Sequence, residues 1–354
     1  MISTVNHVDD SDTPAPDSDA YVMGIDLGGT SVKLGILRGD TLISRGRFST
    51  AQCKTPTDVF RQAKSFATEK LNAVDASVND LHSVGLAMAG VIDESTATLK
   101  ETANLHSWHG IGFRQELIQV FERPVAVIND ANAAALGEAF HGRHRTESLA
   151  LLTLGTGIGG GIIVGGRPVN GSHGCGGEIG HVTIDHSPDA RPCGCGRAGH
   201  LEAYAGAAGI VMTATEQLDN SDHPSCLRIL PRLSPQTIAT AAEQGDQVAI
   251  ETVRRTAVHL GRAIAMLAQI ADPSVVLLGG AVTFGGLETK TGRDFLKTIH
   301  QETVRLSLVQ AGSGLEIDFA TLGNDAGMLG AARHASQTAC EHDFDRNSES
   351  RHED

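Results

Sequence analysis

Two thiols and two imidazoles lie near the middle of this chain at spacings that suit a metal ion. Cys193 and Cys195 are separated by one glycine, His200 follows five residues after the second thiol, and His181 lies upstream. Sulfur and nitrogen donors of this kind suit tetrahedral Zn²⁺, and four protein ligands leave no position open for a substrate. The sequence therefore predicts a structural zinc site, although chance thiols in a glycine-rich loop would give the same spacing.

Two glycine-rich turns contain the residue types that bind phosphate. Glycine lets the backbone come close to a phosphate group, and successive N–H groups in a tight turn can surround an anion. Each turn adds a threonine hydroxyl, and an aspartate beside the first turn can hold Mg²⁺ through water. Two such turns facing one ligand would bind the β- and γ-phosphates of ATP, whereas a purely structural hairpin turn is the alternative. The residues are Asp26, Gly28, Gly29, Thr30 and Lys33 for the first turn and Gly155, Thr156 and Gly157 for the second.

A carboxylate stands where a strand gives way to a helix. Asn129-Asp130 follows the apolar segment 125–128 and precedes an alanine-rich segment. Aspartate is favoured at the start of a helix because its side chain accepts backbone hydrogen bonds there. The same position presents a carboxylate rigidly, as a general base for a hydroxyl that attacks phosphate requires. The structural and the catalytic interpretation of Asp130 are therefore compatible.

The elements that must hold these residues alternate between strands and helices, which predicts an α/β fold. Residues 21–37 and 148–164 share one plan, in which an apolar strand, a glycine turn and a second strand follow one another. Two such units predict two related domains, each opening with a hairpin. The other predicted elements are strands at 84–88, 125–128 and 275–278 and helices at 131–141 and 248–270.

The second glycine turn also fits the dinucleotide-binding fingerprint, through Gly155, Gly157 and Gly160. That fingerprint needs a helix directly after the glycines. Residues 162–164 are Ile-Ile-Val and predict a strand instead. A dinucleotide-dependent oxidoreductase is therefore a distant alternative.

Composition limits the classes of protein that need to be considered. The chain has 354 residues and a formal net charge of −14, which disfavours general binding to nucleic acid or to a membrane surface because both need a basic footprint. The first twenty residues are polar and acidic, without the basic start and apolar centre of a signal peptide. We expect a cytoplasmic protein, in which a Cys-Gly-Cys cluster indicates metal rather than a disulfide.

The same patterns predict a division of the chain. Residues 1–20 and 341–354 are expected to be solvated, disordered tails, since they are rich in acidic residues and have little to bury. Residues 21–130, joined by about 322–338, are expected to form a small α/β domain. Residues 131–321 are expected to form a large α/β domain that carries the zinc motif.

Four motifs in this order resemble those of the ROK family (repressor, open reading frame, kinase). The resemblance covers roughly residues 21–333. The motifs are Asp26-Leu-Gly-Gly-Thr30, Asn129-Asp130-Ala131-Asn132, Gly177-Glu-Ile-Gly-His181 and Cys193-Gly-Cys-Gly-x-x-Gly-His-Leu-Glu202.

The resemblance implies an actin-like, ribonuclease-H-like ATPase fold, with two α/β domains around a cleft. It implies a kinase that uses Mg²⁺ with ATP, with Asp130 as the base and Gly279-Gly280 against the adenosine. His181 would then bind zinc through one ring nitrogen and a sugar hydroxyl through the other. Family members are commonly dimers or tetramers, so we expect a homo-oligomer. The implied sugar contacts are Gly90, Asn104, Asn129, Asp130, Glu178, His181 and Glu202.

Two features bear on the place of the chain within the family. The family usually has cysteine where this chain has His200, and imidazole is also a good zinc ligand. ROK repressors carry a winged helix–turn–helix ahead of the kinase-like part, whereas about twenty polar residues precede the first predicted strand here. The kinase branch is therefore favoured.

We expect a glucokinase-type enzyme that phosphorylates the 6-hydroxyl of glucose as an entry to glycolysis. A kinase for an N-acylhexosamine, either N-acetylmannosamine or N-acetylglucosamine, is the nearest alternative. A sugar-sensing regulatory protein without turnover is the alternative of another class. The presence of Asp130 and both phosphate turns argues against the sensor.

Overall fold

The computed structural model describes residues 19–93, 97–101, 108 and 110–350. The chain divides into two compact units, one made of Met1–Asp130 with Met328–Asp354 and the other of Ala131–Gly327. The first unit contains, in chain order, β1 (Tyr21–Leu27), β2 (Ser31–Arg38), β3 (Thr41–Ser49), α1 (Pro56–Asn72), β4 (Leu81–Met88), β5 (Val91–Asp93), β6 (Thr98–Glu101), α2 (Phe113–Phe121) and β7 (Val125–Asn129).

Helix α3 (Asp130–His141) begins at the boundary and continues into the second unit. The last helix, α10 (Ala326–Ser350), begins in the second unit and continues into the first. Between them the second unit contains β8 (Leu149–Leu154), β9 (Ile158–Val164), β10 (Arg167–Pro168), α4 (Glu202–Ala205), α5 (Ala207–Asp219), α6 (Pro235–Glu243), α7 (Gln247–Ile270), β11 (Val275–Gly280), α8 (Lys290–Leu306), α9 (Val309–Gly314) and β12 (Glu316–Phe319).

Each unit is built on a five-stranded sheet, and the two sheets have the same topology. The strand orders are β3-β2-β1-β4-β7 and β10-β9-β8-β11-β12. In both sheets the first three strands of the chain form an antiparallel meander, and the last two run parallel to the first. This repeat agrees with the predicted α/β class and with the two predicted hairpins, because the glycine turns join β1 to β2 and β8 to β9.

The parallel strands are buried along almost their whole length, as strands covered on both faces require. In β4 and β11 apolar residues form continuous buried runs, and α7 adds a long buried face of Ala, Val, Leu and Ile. The segment after the second glycine turn is strand β9, so the helix that a dinucleotide-binding unit needs at that point does not exist. Among the described residues no helix combines the length and apolar character needed to cross a bilayer.

Helix starts in this chain follow local capping chemistry. Thr55 precedes α1 and Ser234 precedes α6, and each forms a reciprocal capping box with the residue three positions on. Each cap is followed by proline, whose missing N–H is harmless at the first helical position. The Asp246 carboxylate accepts two backbone N–H bonds at the start of α7. These caps fix where the helices begin and therefore which faces they bury.

Helix α10 packs closely against the first sheet at a row of glycine residues. Gly35, Gly24 and Gly85 are level with one another on β2, β1 and β4. An ideal Cβ on Gly24 would lie 1.9 Å from the carbonyl oxygen of Met328, and one on Gly85 would lie 1.9 Å from that of Ala331. The row of glycines is therefore a groove that receives the helix backbone.

Replacing Gly85 by alanine should destabilise the protein, because the added methyl group meets a helix carbonyl that has nowhere to move. We expect a loss of about 1–3 kcal/mol in the free energy of unfolding, the usual cost of overpacking a core. Gly314→Ala is the matched control, since a Cβ there has nothing within 4 Å. Urea unfolding of both variants measures the difference; equal midpoints would show that the groove does not constrain α10.

Candidate functional site

In the first unit, three predicted site segments lie along one edge of the sheet. Leu27, Met88 and Asn129 are in register at the carboxyl ends of the parallel strands β1, β4 and β7. The first glycine turn follows β1, Ala89-Gly90 follows β4, and Asp130 follows β7. Ligands of open α/β sheets bind at this edge, where strands end and loops begin.

The Asn129-Asp130 pair is positioned as the sequence predicted, with Asn129 ending β7 and Asp130 opening α3. The Asn129 amide Nδ2 donates to the carbonyl oxygen of Gly90 at 3.0 Å. Gly90 has φ +118°, a backbone conformation that residues with a side chain rarely adopt. The hydrogen bond thus joins two of the predicted sugar contacts.

The segment that follows β3 forms hydrogen bonds with the first glycine turn. The Thr50 hydroxyl donates to the carbonyl oxygen of Gly28 at 2.7 Å, and the Thr50 N–H donates to that of Thr30 at 3.1 Å. Lys33 is level with Asp26 across the hairpin, and its Nζ lies 2.9 Å from Asp26 Oδ2. The Gly28 and Thr30 carbonyls are therefore bonded within the protein, and a cation–carboxylate pair lies at the base of the hairpin.

In the second unit, the second glycine turn is held by α4 and α5. The Gly155 N–H donates to the Gly157 carbonyl at 3.0 Å, and the Ala207 N–H donates to the Gly155 carbonyl at 3.0 Å. Oε2 of Glu202 accepts from the Ile158 N–H at 2.9 Å. Leu154, just before this turn, is level with Gly280 at the end of β11. The predicted phosphate turn and the predicted adenosine contact thus share one sheet edge.

A cavity of about 450 Å³ opens directly after Gly279-Gly280. It lies between α6 and residues 281–289, with the Phe284 ring and the polar side chains of Gln236 and Thr240 among its walls. Gly280 has φ +90°, and a Cβ there would lie 2.3 Å from the Leu154 carbonyl oxygen. Six of its twelve lining residues are polar or charged, so the walls can hydrogen-bond an organic ligand as well as pack against it.

The glycine run of β9 positions the next two predicted segments. A Cβ on Gly161 would lie 2.6 Å from the Ala131 carbonyl oxygen at the start of α3. A Cβ on Gly160 would lie 2.4 Å from the Gly177 carbonyl oxygen, beside Glu178. Because neighbouring residues of a strand face opposite sides of the sheet, α3 packs on one side and the Glu178 segment on the other. The same run that resembled a nucleotide fingerprint therefore serves close backbone packing.

His181 faces two neighbours with its two ring nitrogens. Its Nδ1 lies 3.8 Å from Cys193 Sγ, and its Nε2 lies 4.0 Å from Glu178 Oε2. Cys195 Sγ lies 3.2 Å from His200 Nδ1, and the two imidazole centroids are 5.3 Å apart. One donor atom from each of the four predicted ligands lies within 4.8 Å of all the others. The structure thus brings the four residues together as a candidate metal centre.

Burial raises the pKa of the Cys193 thiol, the Cys195 backbone N–H opposes this shift, and the Cys195 side chain and the Glu202 charge add to it. Oε1 of Glu202 lies 3.8 Å from Cys193 Sγ. A thiolate at this position would therefore need a compensating positive charge, such as a metal ion bound by the cluster.

A network that the sequence did not reveal anchors the loop before Cys193. The Tyr204 hydroxyl donates to Asp185 Oδ2 at 2.5 Å and accepts from the Arg191 N–H at 2.9 Å. That hydroxyl is the main reason why the pKa of Asp185 falls to about 2. The Arg191 guanidinium bonds the Gly209 carbonyl at 3.1 Å and the Thr213 hydroxyl at 2.9 Å on α5. The loop is therefore attached to α4 and α5 independently of any metal.

A sequence profile of the ROK family matches residues 22–338. This chain belongs to the ROK family. A glucokinase of Halalkalibacterium halodurans is 33% identical over 320 residues, which cover 88% of this chain and 94% of that protein. An N-acetylmannosamine kinase of Shigella flexneri is 30% identical over 314 residues, which cover 88% and 97%.

A solved structure of a ROK family glucokinase from Streptomyces griseus, in complex with glucose and AMPPNP, is also similar. Its TM-score is 0.63 at 31% identity, over 90% of this chain and 100% of that one. Together with the two matching sheets, this confirms the predicted actin-like ATPase fold. The predicted membership of the ROK family, with glucokinase-like relatives, is confirmed as well.

The ROK family motifs thus fall within the two units as follows. Gly90, Asn129, Asp130 and the first turn lie in the first unit. Glu178, His181, Glu202, the second turn, Gly279-Gly280 and the four-ligand cluster lie in the second. Asn104, a predicted sugar contact, lies outside the described residues. The predicted tail at 1–20 falls almost wholly outside them too, whereas residues 341–350 of the other predicted tail are part of helix α10.

One buried carboxylate of this ROK chain was missed. Glu138 of α3 is fully buried and accepts bonds from the Thr321 N–H at 2.9 Å, the Thr321 hydroxyl at 3.1 Å and the Leu322 N–H at 2.7 Å. Its only sequence signal is a charged residue in the middle of an alanine-rich helix. Glu138 fastens α3, the helix that Asp130 opens, to the segment before α10.

A second cluster of donor groups, His144, Glu316 and Asp318, is explained by contacts within the protein. Nε2 of His144 lies 2.9 Å from Asp318 Oδ2, and Nδ1 lies 3.5 Å from Glu316 Oε2. The Arg143 guanidinium shares the same Asp318 oxygen at 3.1 Å. With both ring nitrogens facing carboxylates and a cation already present, this cluster has no need of a metal.

Proposed function

We propose that this chain transfers the γ-phosphate of ATP to the 6-hydroxyl of a hexose, with glucose as the preferred acceptor. The chain is an ATP-dependent hexose kinase, as the curated glucokinases and the solved ROK glucokinase indicate. The observation that carries the proposal is the sheet edge of the first unit. Three parallel strands end in register there. The first glycine turn, Gly90 and the Asn129-Asp130 pair lie at these strand ends.

Asp130 is the residue proposed as general base. It opens α3 directly after a buried strand, so its backbone is fixed on both sides. The neighbouring Asn129 side chain donates a hydrogen bond to the Gly90 carbonyl and so fixes the backbone after β4. A carboxylate held in this way can accept the proton of the sugar 6-hydroxyl as the oxygen attacks the γ-phosphate in line.

Most of the proposed sugar contacts are polar side chains. Glu178 and His181 lie on a short segment pinned by Gly160 and Gly180, and a Cβ on Gly180 would lie 2.1 Å from the Ile158 carbonyl oxygen. The family resemblance assigns them to the C1 and C2 side of the sugar. The full proposed set is Gly90, Asn104, Asn129, Asp130, Glu178, His181 and Glu202.

The proposed ATP site uses the two glycine turns for phosphate and the cavity after Gly279-Gly280 for the adenosine. Mg²⁺ bound with ATP supplies charge neutralisation at the transferred phosphoryl group. Asp26 would hold that ion through water, and its pairing with Lys33 leaves its second oxygen for this purpose. Lys33 places a positive charge at the base of the turn. The residues are Asp26, Gly28, Gly29, Thr30, Lys33, Gly155, Thr156, Gly157, Gly279 and Gly280.

The four-ligand cluster fits a structural Zn²⁺. Its two thiols and two imidazoles are the donor set of closed tetrahedral zinc sites, and the spread of their donor atoms, within 4.8 Å, suits one ion. When bound, zinc supplies a crosslink between the Cys193–His200 loop and His181. Nε2 of His181 then remains available for a sugar hydroxyl beside Glu178.

We also propose a cytoplasmic location, where ATP is the donor and free thiols persist. A homo-oligomer, dimer or tetramer, stays a prediction from the family.

An N-acylhexosamine kinase is the second candidate function, since a related N-acetylmannosamine kinase is 30% identical over 88% of this chain. An N-acyl sugar needs an apolar recess for its methyl group near C2. The segment that carries Glu178 and His181 presents polar side chains, which suit a free 2-hydroxyl. A regulatory sugar sensor remains the third candidate, distinguished by absence of turnover.

Substrate preference is tested with a panel of hexoses and N-acylhexosamines, following ADP formation. Glucose should give the highest kcat/KM, because a site that hydrogen-bonds hydroxyls rejects analogues that lack them. N-acetylmannosamine or N-acetylglucosamine turned over more than about tenfold better than glucose would replace the glucokinase proposal with the second candidate. Sugar binding without any ADP release would favour the sensor.

Metal analysis of protein purified without added zinc should find one zinc per chain. Cys195→Ser should lose the metal and weaken sugar binding together, because His181 is then no longer held. His200→Cys should keep the zinc, since thiolate is an equally good ligand. Cys175→Ser, an exposed thiol outside the cluster, is the control and should keep both. A metal-free wild type with full activity would refute the zinc site.

A further inference from the structure

Glu202 joins the second glycine turn to the metal cluster. It is the first residue of α4 and lies two positions after His200. Its Oε2 accepts from the Ile158 N–H at 2.9 Å, at the end of the turn. Its Oε1 lies 3.8 Å from Cys193 Sγ. One carboxylate thus contacts both the proposed phosphate turn and a proposed metal ligand.

The contact with the turn depends on the glycine at position 157. An ideal Cβ on Gly157 would lie 2.2 Å from Glu202 Oε2, so any side chain there would displace the carboxylate. The same stretch of chain holds the turn at a second point, where the Ala207 N–H donates to the Gly155 carbonyl. A third approach is at Gly206, whose Cβ would lie 3.2 Å from the Thr156 carbonyl. The turn therefore rests on residues 202–207.

Residues next to Glu202 in the sequence also bond to the segments that carry the metal ligands. The Ala203 N–H donates to the His200 carbonyl at 3.0 Å, and the Leu201 N–H donates to the Val182 carbonyl at 3.0 Å, next to His181. The backbone that begins α4 is therefore bonded to both histidine segments of the cluster. Fixing the cluster with a metal fixes the point from which the Glu202 side chain extends.

We propose that Glu202 is a positioning residue for the nucleotide, holding the turn 155–157 in the form that binds phosphate. It makes nucleotide affinity depend on the metal cluster. This inference rests on the proposed function, because it takes the ligand of the turn to be ATP or ADP. The Oε2 atom is committed to the turn, so a sugar contact through Glu202 uses Oε1.

Isothermal titration of ADP into the chain without sugar tests this inference. Glu202→Ala should weaken ADP binding about tenfold or more, as loss of a hydrogen bond to a charged group does. Glu202→Gln keeps an oxygen for the Ile158 N–H and should stay within about threefold of wild type. Glu147→Ala is the control: it removes an exposed carboxylate of the same unit that has no proposed role and should leave ADP binding unchanged. Thermal unfolding of each variant verifies that it is folded.

Metal removal gives the second arm of the experiment. Chelation should weaken ADP binding to wild type and have little further effect on Glu202→Ala, and zinc should restore the wild-type value. Coupling is reciprocal, so saturating ADP should raise zinc affinity by the same factor in wild type and not in Glu202→Ala.

Three results contradict the inference in different ways. Folded Glu202→Ala that binds ADP as wild type does overturns the positioning role of Glu202, and wild-type ADP binding that is independent of zinc overturns its coupling to the metal cluster. Either result leaves the kinase proposal standing. A wild type that binds no ADP with zinc present overturns the proposed function itself, and the inference with it.

Discussion

The arrangement of the second unit depends on close backbone packing against the glycines of one strand, β9. Along β9, Gly160 and Gly161 allow main-chain atoms of two other segments to approach from opposite sides. On one side lies the start of α3, which follows directly from Asp130, and on the other lies the segment with Glu178 and His181. Any Cβ at these positions would push a carbonyl oxygen away, because interiors are packed too tightly to absorb it. Within the second unit, the start of α3 after Asp130 and the segment that carries Glu178 are therefore positioned by the absence of side chains on this strand.

A second set of contacts supports the candidate metal centre. The Tyr204–Asp185–Arg191 network attaches the loop before Cys193 to α4 and α5 without using any of the four ligands. We infer that this scaffold sets the position of the loop and that a metal sets the orientation of the ligands. Glu202 lies where the two meet, since its carboxylate contacts both Cys193 Sγ and the Ile158 N–H at the end of the second glycine turn.

Much of this organisation follows from the sequence, because local patterns fix local structure. The two strand–turn–strand units and the Asp130 junction were predictable from apolar runs and glycine, and the strand after the second turn excluded a dinucleotide fold. The glycines of β9 were not interpretable in the same way, since a phosphate turn and a close-packed strand need the same residue. Glu138 and Arg191 were missed because their partners, Thr321 and Thr213, lie far away in sequence. Such pairings arise only from the tertiary fold.

The most direct measurement of the central claim compares Asp130→Asn with wild type in two assays. Titration calorimetry with glucose should give similar affinities, because the amide preserves the shape and most hydrogen bonds of the carboxylate. The kcat for ADP formation should fall ~10²–10⁴-fold, the range for loss of a general base. A variant that binds glucose and retains kcat within about threefold of wild type would contradict the assignment of Asp130 as the base.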